Sequence, residues 1–405
     1  MDGLNREKER GPGSSKRIMI IAGEASGDIH GARLVEAMRR QHSSRLLFFG
    51  VGGSLLREAG VHILADADEL AVVGITEAFS RVRQLVSGIS MAREALRRMH
   101  PDLLVLIDFP DFNLMVAKTA RELNVPVLYY ISPQVWAWRS GRVKKIRKLV
   151  DHMAVILPLE EDLYRKNGVP VTFVGHPLLD VVDQEQSAAE VPSLAREGWS
   201  LIGLMPGSRD REIARHFPVM LEAAQVLSEQ FANLHFAVPL APSVDADRAR
   251  HILLEAKGRY PKLENIRLCS GAMRRVLAES SLVITASGTV TLEAAIAATP
   301  MIIIYRVSRL SYWIGRILIH VEHVGLVNLI AGRGIVPELL QRDATAEKIA
   351  KSAAALLTDP HRLHDMRREL REVSARLGSP GASSRTAAIG LKMLGASAEH
   401  AHSTA

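Results

Sequence analysis

The feature that most constrains this chain is a strict alternation: short apolar runs, each too short for a buried helix, are followed by amphipathic helical patterns almost end to end. That alternation is the signature of βαβ units, hence of parallel sheets covered by helices on both faces. In the first half the spacing predicts strands at Arg17–Ala22, Leu46–Val51, Leu103–Ile107, Val125–Ile131, Met153–Ile156 and Val171–Val174. A polar stretch from Gln184 to Arg196 interrupts the pattern. It restarts with Ser200–Met205, Leu234–Val238, Ile266–Cys269, Leu282–Thr285 and Met301–Tyr305.

Two such series in 405 residues give an α/β protein of two Rossmann-like domains facing across a cleft. The expected boundaries are a disordered leader at 1–16, a first Rossmann-like domain at 17–183, a linker at 184–198 and a second Rossmann-like domain at 199–378. The last helices of the second domain are candidates to pack back on the first. The Ala-, Ser-, Gly- and His-rich segment 379–405 reads as a mobile tail.

Composition narrows the chemistry. A net charge of +7 points to anionic company, whether nucleotide phosphate, nucleic acid or an acidic membrane surface. Aromatic residues are only 5% and no nucleic-acid-binding module is recognisable, so a nucleic-acid role is set aside. The single cysteine, Cys269, excludes an intrachain disulfide and any thiolate metal cluster, which fits a reducing cytoplasm. Residues 1–16 lack the apolar core of a signal peptide, and no run reaches the roughly 20 apolar residues of a spanning helix. Membrane contact is therefore expected to be peripheral.

Open α/β sheets bind ligands beyond the carboxyl ends of their strands, so the residues just after each apolar run are the candidates. The first run empties into Gly23-Glu-Ala-Ser-Gly-Asp28, a Gly-bearing loop before a helix that matches neither the GxGxxG nor the Gly-Lys-Ser/Thr phosphate loop. By itself it reads equally well as a tight turn with Asp28 capping the helix. Leu204-Met-Pro-Gly-Ser-Arg209 repeats the logic with a guanidinium suited to a diphosphate. Thr285-Ala-Ser-Gly-Thr289 offers Ser287, Gly288 and Thr289 as phosphate donors, with Glu293 one turn on to accept from ribose hydroxyls. His176 follows a strand at the same edge and is a further candidate for substrate contact.

Two Asp-x-Asp pairs, Asp66/Asp68 and Asp245/Asp247, match the pattern with which many sugar transferases hold a divalent ion. The second reads as a solvated helix start, and the expectation is that no metal and no other cofactor is needed. Greasy, basic helical patterns with Ile75, Phe79 and Val82, and with Tyr312, Trp313 and Arg316, are candidates for contact with acyl chains or an anionic interface. A core-facing helix explains the first of them equally well.

Taken together, the words AGEASGD at 22–28, IDFPDFN at 107–113, SPQVWAW at 132–138, LMPGSR at 204–209, ASGT at 286–289 and VNLIAGR at 327–333 closely resemble the lipid-A-disaccharide synthase family. The resemblance runs in order from about Arg17 to Leu377. It implies an inverting hexosyltransferase of the two-Rossmann-domain (GT-B) type that moves 2,3-diacylglucosamine from UDP to 2,3-diacylglucosamine 1-phosphate. The product is a β(1→6) disaccharide 1-phosphate of lipid A and lipopolysaccharide biosynthesis. It further implies work at the cytoplasmic face of the inner membrane, and a homodimer is compatible with it. Residue by residue, Asp108 matches the family's base, Glu24 and Ser26 match residues at the catalytic cleft, and Arg209, Ser287, Gly288, Thr289 and Glu293 match the nucleotide side. Asn328 matches a polar residue lining the same cleft. Two rivals are an epimerase of the same fold acting on a UDP-sugar, and a non-catalytic two-lobed sugar-binding protein.

Overall fold

A computed structural model of the chain describes residues 15–66, 78–135, 141–180, 193–194, 196–306 and 322–403, with side chains left aside at 78–84 and 396–403. The chain forms two compact units, one of Met1–Val181 with Ser379–Ala405 and one of Val182–Gly378.

The first unit carries β1 (Lys16–Ala22), α1 (Ala25–Gln41), β2 (Leu46–Gly52), α2 (Ser54–Glu58), β3 (His62–Asp66), α3 (Ala78–Met99), β4 (Leu103–Ile107), α4 (Pro110–Glu122), β5 (Val127–Tyr130), α5 (Gly141–Leu149), β6 (His152–Val155), α6 (Pro158–Lys166) and β7 (Val171–Phe173). Its seven parallel strands lie in the order β3-β2-β1-β4-β5-β6-β7. Every residue of β4 is completely buried, because both faces of a parallel strand are covered by helices. Strand order reverses between β1 and β4, which pair in register from Ile18 with Leu103 to Ala22 with Ile107. The loops leaving these two strands therefore diverge to opposite faces and open a crevice at their carboxyl ends.

The second unit repeats the scheme with β8 (Ser200–Met205), α7 (Asp210–Gln230), β9 (Leu234–Leu240), α8 (Ala246–Arg259), β10 (Ile266–Ser270), α9 (Met273–Glu279), β11 (Leu282–Ala286), α10 (Val290–Ile296), β12 (Met301–Tyr305), α11 (Leu326–Ala331), β13 (Glu338–Leu340), α12 (Ala346–Leu357) and α13 (Pro360–Arg376). The order is β10-β9-β8-β11-β12-β13, and its switch point falls between β8 and β11.

Two strands escape the sequence pattern, β3 and β13. Both sit at sheet edges with exposed or half-buried side chains, so neither shows the continuous apolar run of an inner strand.

The segment from Ser379, expected as a mobile tail, is largely helical. It is not a loose tail: helix α14 (Ala382–Ser403) packs along α1, with Ala382, Thr386 and Ala387 fully buried. Small side chains that read as low complexity are what let two helix backbones approach closely. Gln41 of α1 donates to the backbone and hydroxyl oxygens of Ser384, and Arg385 donates to the Val174 carbonyl. Of the expected linker, Ser193 and Leu194 belong to the second unit, where the Leu194 N–H donates to Glu279 at 2.7 Å.

Candidate active-site residues

Asp108 is the first residue past β4, at the switch point. It and Phe109 both adopt left-handed backbone, each with φ near 45°. For a residue with a side chain this conformation costs about 1–2 kcal/mol, so the surroundings must impose it. The Phe109 ring supplies part of the reason: it stacks on Phe112 at 5.1 Å and lies over Gly23 of the β1 loop. A Cβ at residue 23 would sit 2.1 Å from that ring, so only glycine fits there.

Glu24 and Ser26 are exposed at the start of α1, on the other lip of the crevice. Glu24 is the N-cap residue by backbone, yet its carboxylate makes no capping hydrogen bond. Burial pushes the Asp108 carboxyl up to about 6; the negative charge of Glu24 adds to the rise, and a hydrogen bond from the Phe109 backbone opposes it. The result is a carboxylate that is ionised at neutral pH yet keeps much more basicity than a solvated aspartate.

The two neighbouring aspartates are structural. Asp111 follows Pro110 in the first turn of α4, where a carboxylate favours the helix dipole, and it pairs with Arg142. Asp28 does not cap its own helix. Its carboxylate is buried and accepts from the N–H groups of Gly53 (2.7 Å), Leu55 (2.9 Å) and Leu56 (3.3 Å), capping α2 from a distance.

In the second unit the loop after β8 turns through Gly207, whose φ of 128° favours glycine. A Cβ there would also collide with the Glu212 carboxylate, which accepts from Ser208 N–H at 2.8 Å. Arg209 is the N-cap residue of α7, and its side chain is 75% exposed with Glu212 as a loose neighbour at 3.9 Å. Its guanidinium is thus available to an anion beside the N-terminus of a 21-residue helix that no side chain caps. On the far side of the switch point, Ser287 donates its N–H to the Ile304 carbonyl and its hydroxyl to that of Val324. Gly288 and Thr289 lead directly into α10, with Glu293 half-buried in its first turn.

One organiser of this half-site gave no signal in the sequence. His216, buried on α7, contacts the Pro206 carbonyl through Nδ1 at 2.9 Å, and its Nε2 lies 3.3 Å from the Arg306 N–H. If Nδ1 donates and Nε2 accepts, both bonds are satisfied by the neutral ring. Burial lowers its pKa, in keeping with that form. It ties the loop after β8 to the end of β12.

Other expected site residues have different duties. Asn328 is 1% exposed, and its amide is spent inside the fold. It accepts from Ile335 and Val336 N–H and donates to the Val336 carbonyl and the Glu338 carboxylate. Direct ligand contact is therefore replaced by support of the segment between α11 and β13, while Glu338, which this amide contacts, accepts from Val324 and Gly325 N–H just before α11. His176 is likewise buried in the first unit rather than presented to solvent; its Nδ1 accepts from Leu178 N–H, and burial lowers its pKa to about 4.

Of the Asp-x-Asp pairs, Asp66 is held by Arg57 at 3.0 Å, and Asp68 lies outside the described residues. Asp245 caps α8, and Asp247 pairs with Arg250. Among the described residues no group of three or more His, Cys, Asp or Glu side chains could hold a metal ion. Ile75, Tyr312, Trp313 and Arg316 lie outside the described residues, as do the side chains of Phe79 and Val82. Of the Ser-Pro-Gln-Val-Trp-Ala-Trp word, Ser132 is buried and shares a 2.8 Å hydrogen bond with the Tyr164 hydroxyl, while Trp136 and Trp138 lie outside the described residues.

Comparison with known proteins agrees with this architecture. A family model described as lipid-A-disaccharide synthetase matches residues 18–389. The lipid-A-disaccharide synthase of Syntrophus aciditrophicus is 46% identical over 383 residues, covering 94% of this chain and 98% of that protein. Among solved structures, a putative UDP-N-acetylglucosamine 2-epimerase from Listeria monocytogenes superposes with a TM-score of 0.61 at 17% identity, covering 92% of this chain and 95% of that one. CalG4, the calicheamicin glycosyltransferase, does so with a TM-score of 0.59 at 16% identity, covering 94% and 98%. At such identities the structural likenesses speak for the fold alone.

Proposed function

The chain belongs to the lipid-A-disaccharide synthase family and is a glycosyltransferase of the GT-B fold, and on that premise we propose that Asp108 is the general base of an inverting transfer between a UDP-linked acylated glucosamine and an acylated glucosamine 1-phosphate. The observation that carries the assignment is the Asp108 carboxyl at a switch point with its pKa raised to about 6.

In a single displacement the 6-hydroxyl of the acceptor attacks the anomeric carbon of the donor. As the new C–O bond forms, the C–O bond to the UDP phosphate breaks with inversion. The hydroxyl proton passes to Asp108, and UDP leaves as the anion. The exposed Arg209 guanidinium and the α7 N-terminus bind the diphosphate and stabilise the charge that grows on it. Gly288 and Thr289 line the nucleotide side, and Glu293 accepts from ribose hydroxyls. Glu24 acts on Asp108 through its field, and Ser26 lines the acceptor side of the same crevice.

The discriminating measurement is UDP release from the UDP-linked donor with and without the acylated acceptor. Release that depends on acceptor supports transfer; equal release without it would indicate hydrolysis or epimerase-type elimination and sink the reading.

Both proposed substrates are lipids. No helix among the described residues is long and apolar enough to cross a membrane. Peripheral docking at an anionic surface is proposed instead, at the cytoplasmic face of the inner membrane. It is supported by α5, which buries Val143, Ile146 and Leu149 and exposes Lys144, Lys145, Arg147 and Lys148 with no acidic residue of its own.

A further inference from the structure

The strained turn that carries Asp108 is clamped from two sides by groups with no assigned part in the reaction. The Tyr129 hydroxyl, on the neighbouring strand β5, donates to the Asp108 carbonyl at 2.6 Å. The Asn113 amide, on α4, donates to the same carbonyl at 2.6 Å and to that of Ile107 at 3.2 Å. Both side chains are completely buried. Two further bonds close the turn: Asp108 N–H to the Tyr130 carbonyl at 3.2 Å, and Asn113 N–H to the Phe109 carbonyl at 3.0 Å.

A carbonyl at the end of a parallel strand ordinarily continues the ladder or meets solvent. Here the Asp108 carbonyl is swung out of the ladder by two successive left-handed residues and caught by two side-chain donors. A tyrosine hydroxyl and an amide can do this without adding charge. That matters because a cation in the same place would pull the Asp108 carboxyl down and remove its basicity. Tyr129 is fully buried, and its phenol pKa is driven well above the usual value by burial and by the Asp108 charge, so it remains a donor at every pH at which the protein works.

We propose that Tyr129 and Asn113 are positioning residues for the transfer, holding Asp108 in its left-handed turn so that the carboxylate projects into the crevice rather than back along the sheet. The proposal rests on the reading of Asp108 as the base. Its effect is therefore transmitted only through Asp108, and the acceptor and donor need not touch either residue.

The test is steady-state transfer by the full-length protein with both lipid substrates in detergent, comparing Tyr129→Phe, Asp108→Asn and the double variant. Tyr129→Phe deletes one oxygen from a buried ring and keeps the packing. The expected result is a kcat reduced about tenfold with both KM values within twofold of the parent, the pattern of an interaction used in the transition state. The acid limb of the kcat/KM profile should also move to lower pH, because a loosened turn lets water reach the carboxyl. A merely structural hydroxyl would lower stability and leave that limb in place. In the Asp108→Asn background the tyrosine substitution should bring no further loss.

UDP affinity, read separately by calorimetry, reports on the second unit and should be unchanged in a folded variant. If Tyr129→Phe does not fold, Asn113→Ser takes its place with the same readouts. Parent-like kcat and acid limb in the substituted protein, with Asp108→Asn inactive, would overturn the positioning role and leave the base assignment standing. Undiminished turnover in Asp108→Asn would remove the base assignment and the proposal together. A further loss from the tyrosine substitution in the double variant would show that Tyr129 acts by another route and also overturn the proposal.

Discussion

Asp108 and Glu24 sit on opposite lips of one crevice, and the consequences of that arrangement can be read one residue at a time. Glu24 raises the Asp108 pKa, so Glu24→Gln should let it fall. The acid limb of kcat/KM, expected near pH 6 in the parent, should then shift to lower pH, and a pH profile with both substrates checks it. A limb that stays in place would show that another group, such as a substrate phosphate, controls it. Asp108→Asn tests the residue itself. A folded-state pKa above the unfolded one means that stability is fully present below about pH 4 and declines as pH rises through 6, as the buried carboxyl ionises. Asparagine avoids that cost and tolerates left-handed backbone well. The variant should lose at least a hundredfold in kcat while gaining on the order of 1 kcal/mol of stability at pH 7, read by urea unfolding. Asp111→Ala should do the reverse, losing about 0.5–1 kcal/mol through the helix terminus while keeping turnover. In the sequence these two aspartates differ in setting, since one ends an apolar run and the other follows a proline. It could not show the left-handed turn at 108–109, which depends on Tyr129, Asn113 and the Phe109 ring arriving from separate elements.

At the scale of elements, the Gly-bearing loops owe their conformation to what packs on them. Gly23 is needed because the Phe109 ring, 86 residues later in sequence, lies where its side chain would be. Gly23→Ala should force the ring and the Asp108 turn to move together. The expected outcome is a stability loss of about 1–3 kcal/mol and a kcat loss that exceeds any change in UDP affinity. Thermal unfolding and transfer assays on one preparation check both, and parent-like kcat would show that the turn tolerates displacement of the ring. Asp28 and Asn328 carry a related lesson. Each stands inside a motif word, and each proves to be a buried hydrogen-bonding hub that shapes a loop. A word of sequence records that a residue type is required at a place, without recording whether ligand or backbone requires it. His216 is the converse case. It lies seven residues beyond Arg209 inside an ordinary amphipathic helix, and only the approach of Pro206 and Arg306 gives it a purpose.

For the molecule as a whole, the net charge of +7 and the exposed cations of α5 set an expectation about its surroundings. The protein should co-sediment with anionic vesicles at low salt and be released as ionic strength rises, with little binding to neutral vesicles. Binding that is indifferent to both lipid charge and salt would remove the electrostatic account. The sequence by itself determined the two series of parallel strands and the family, and it pointed to the strand ends as the place to look for chemistry. These follow from local periodicity and from motif words that survive in one dimension. Tertiary structure alone decided that α14 (Ala382–Ser403) packs along α1, that the edge strands β3 and β13 complete the sheets, and that Asp108 is strained, half-buried and coupled to Glu24. The physical reason is common to all three: each depends on contacts between segments far apart in the chain, and burial, backbone strain and electrostatic coupling do not exist until those segments meet.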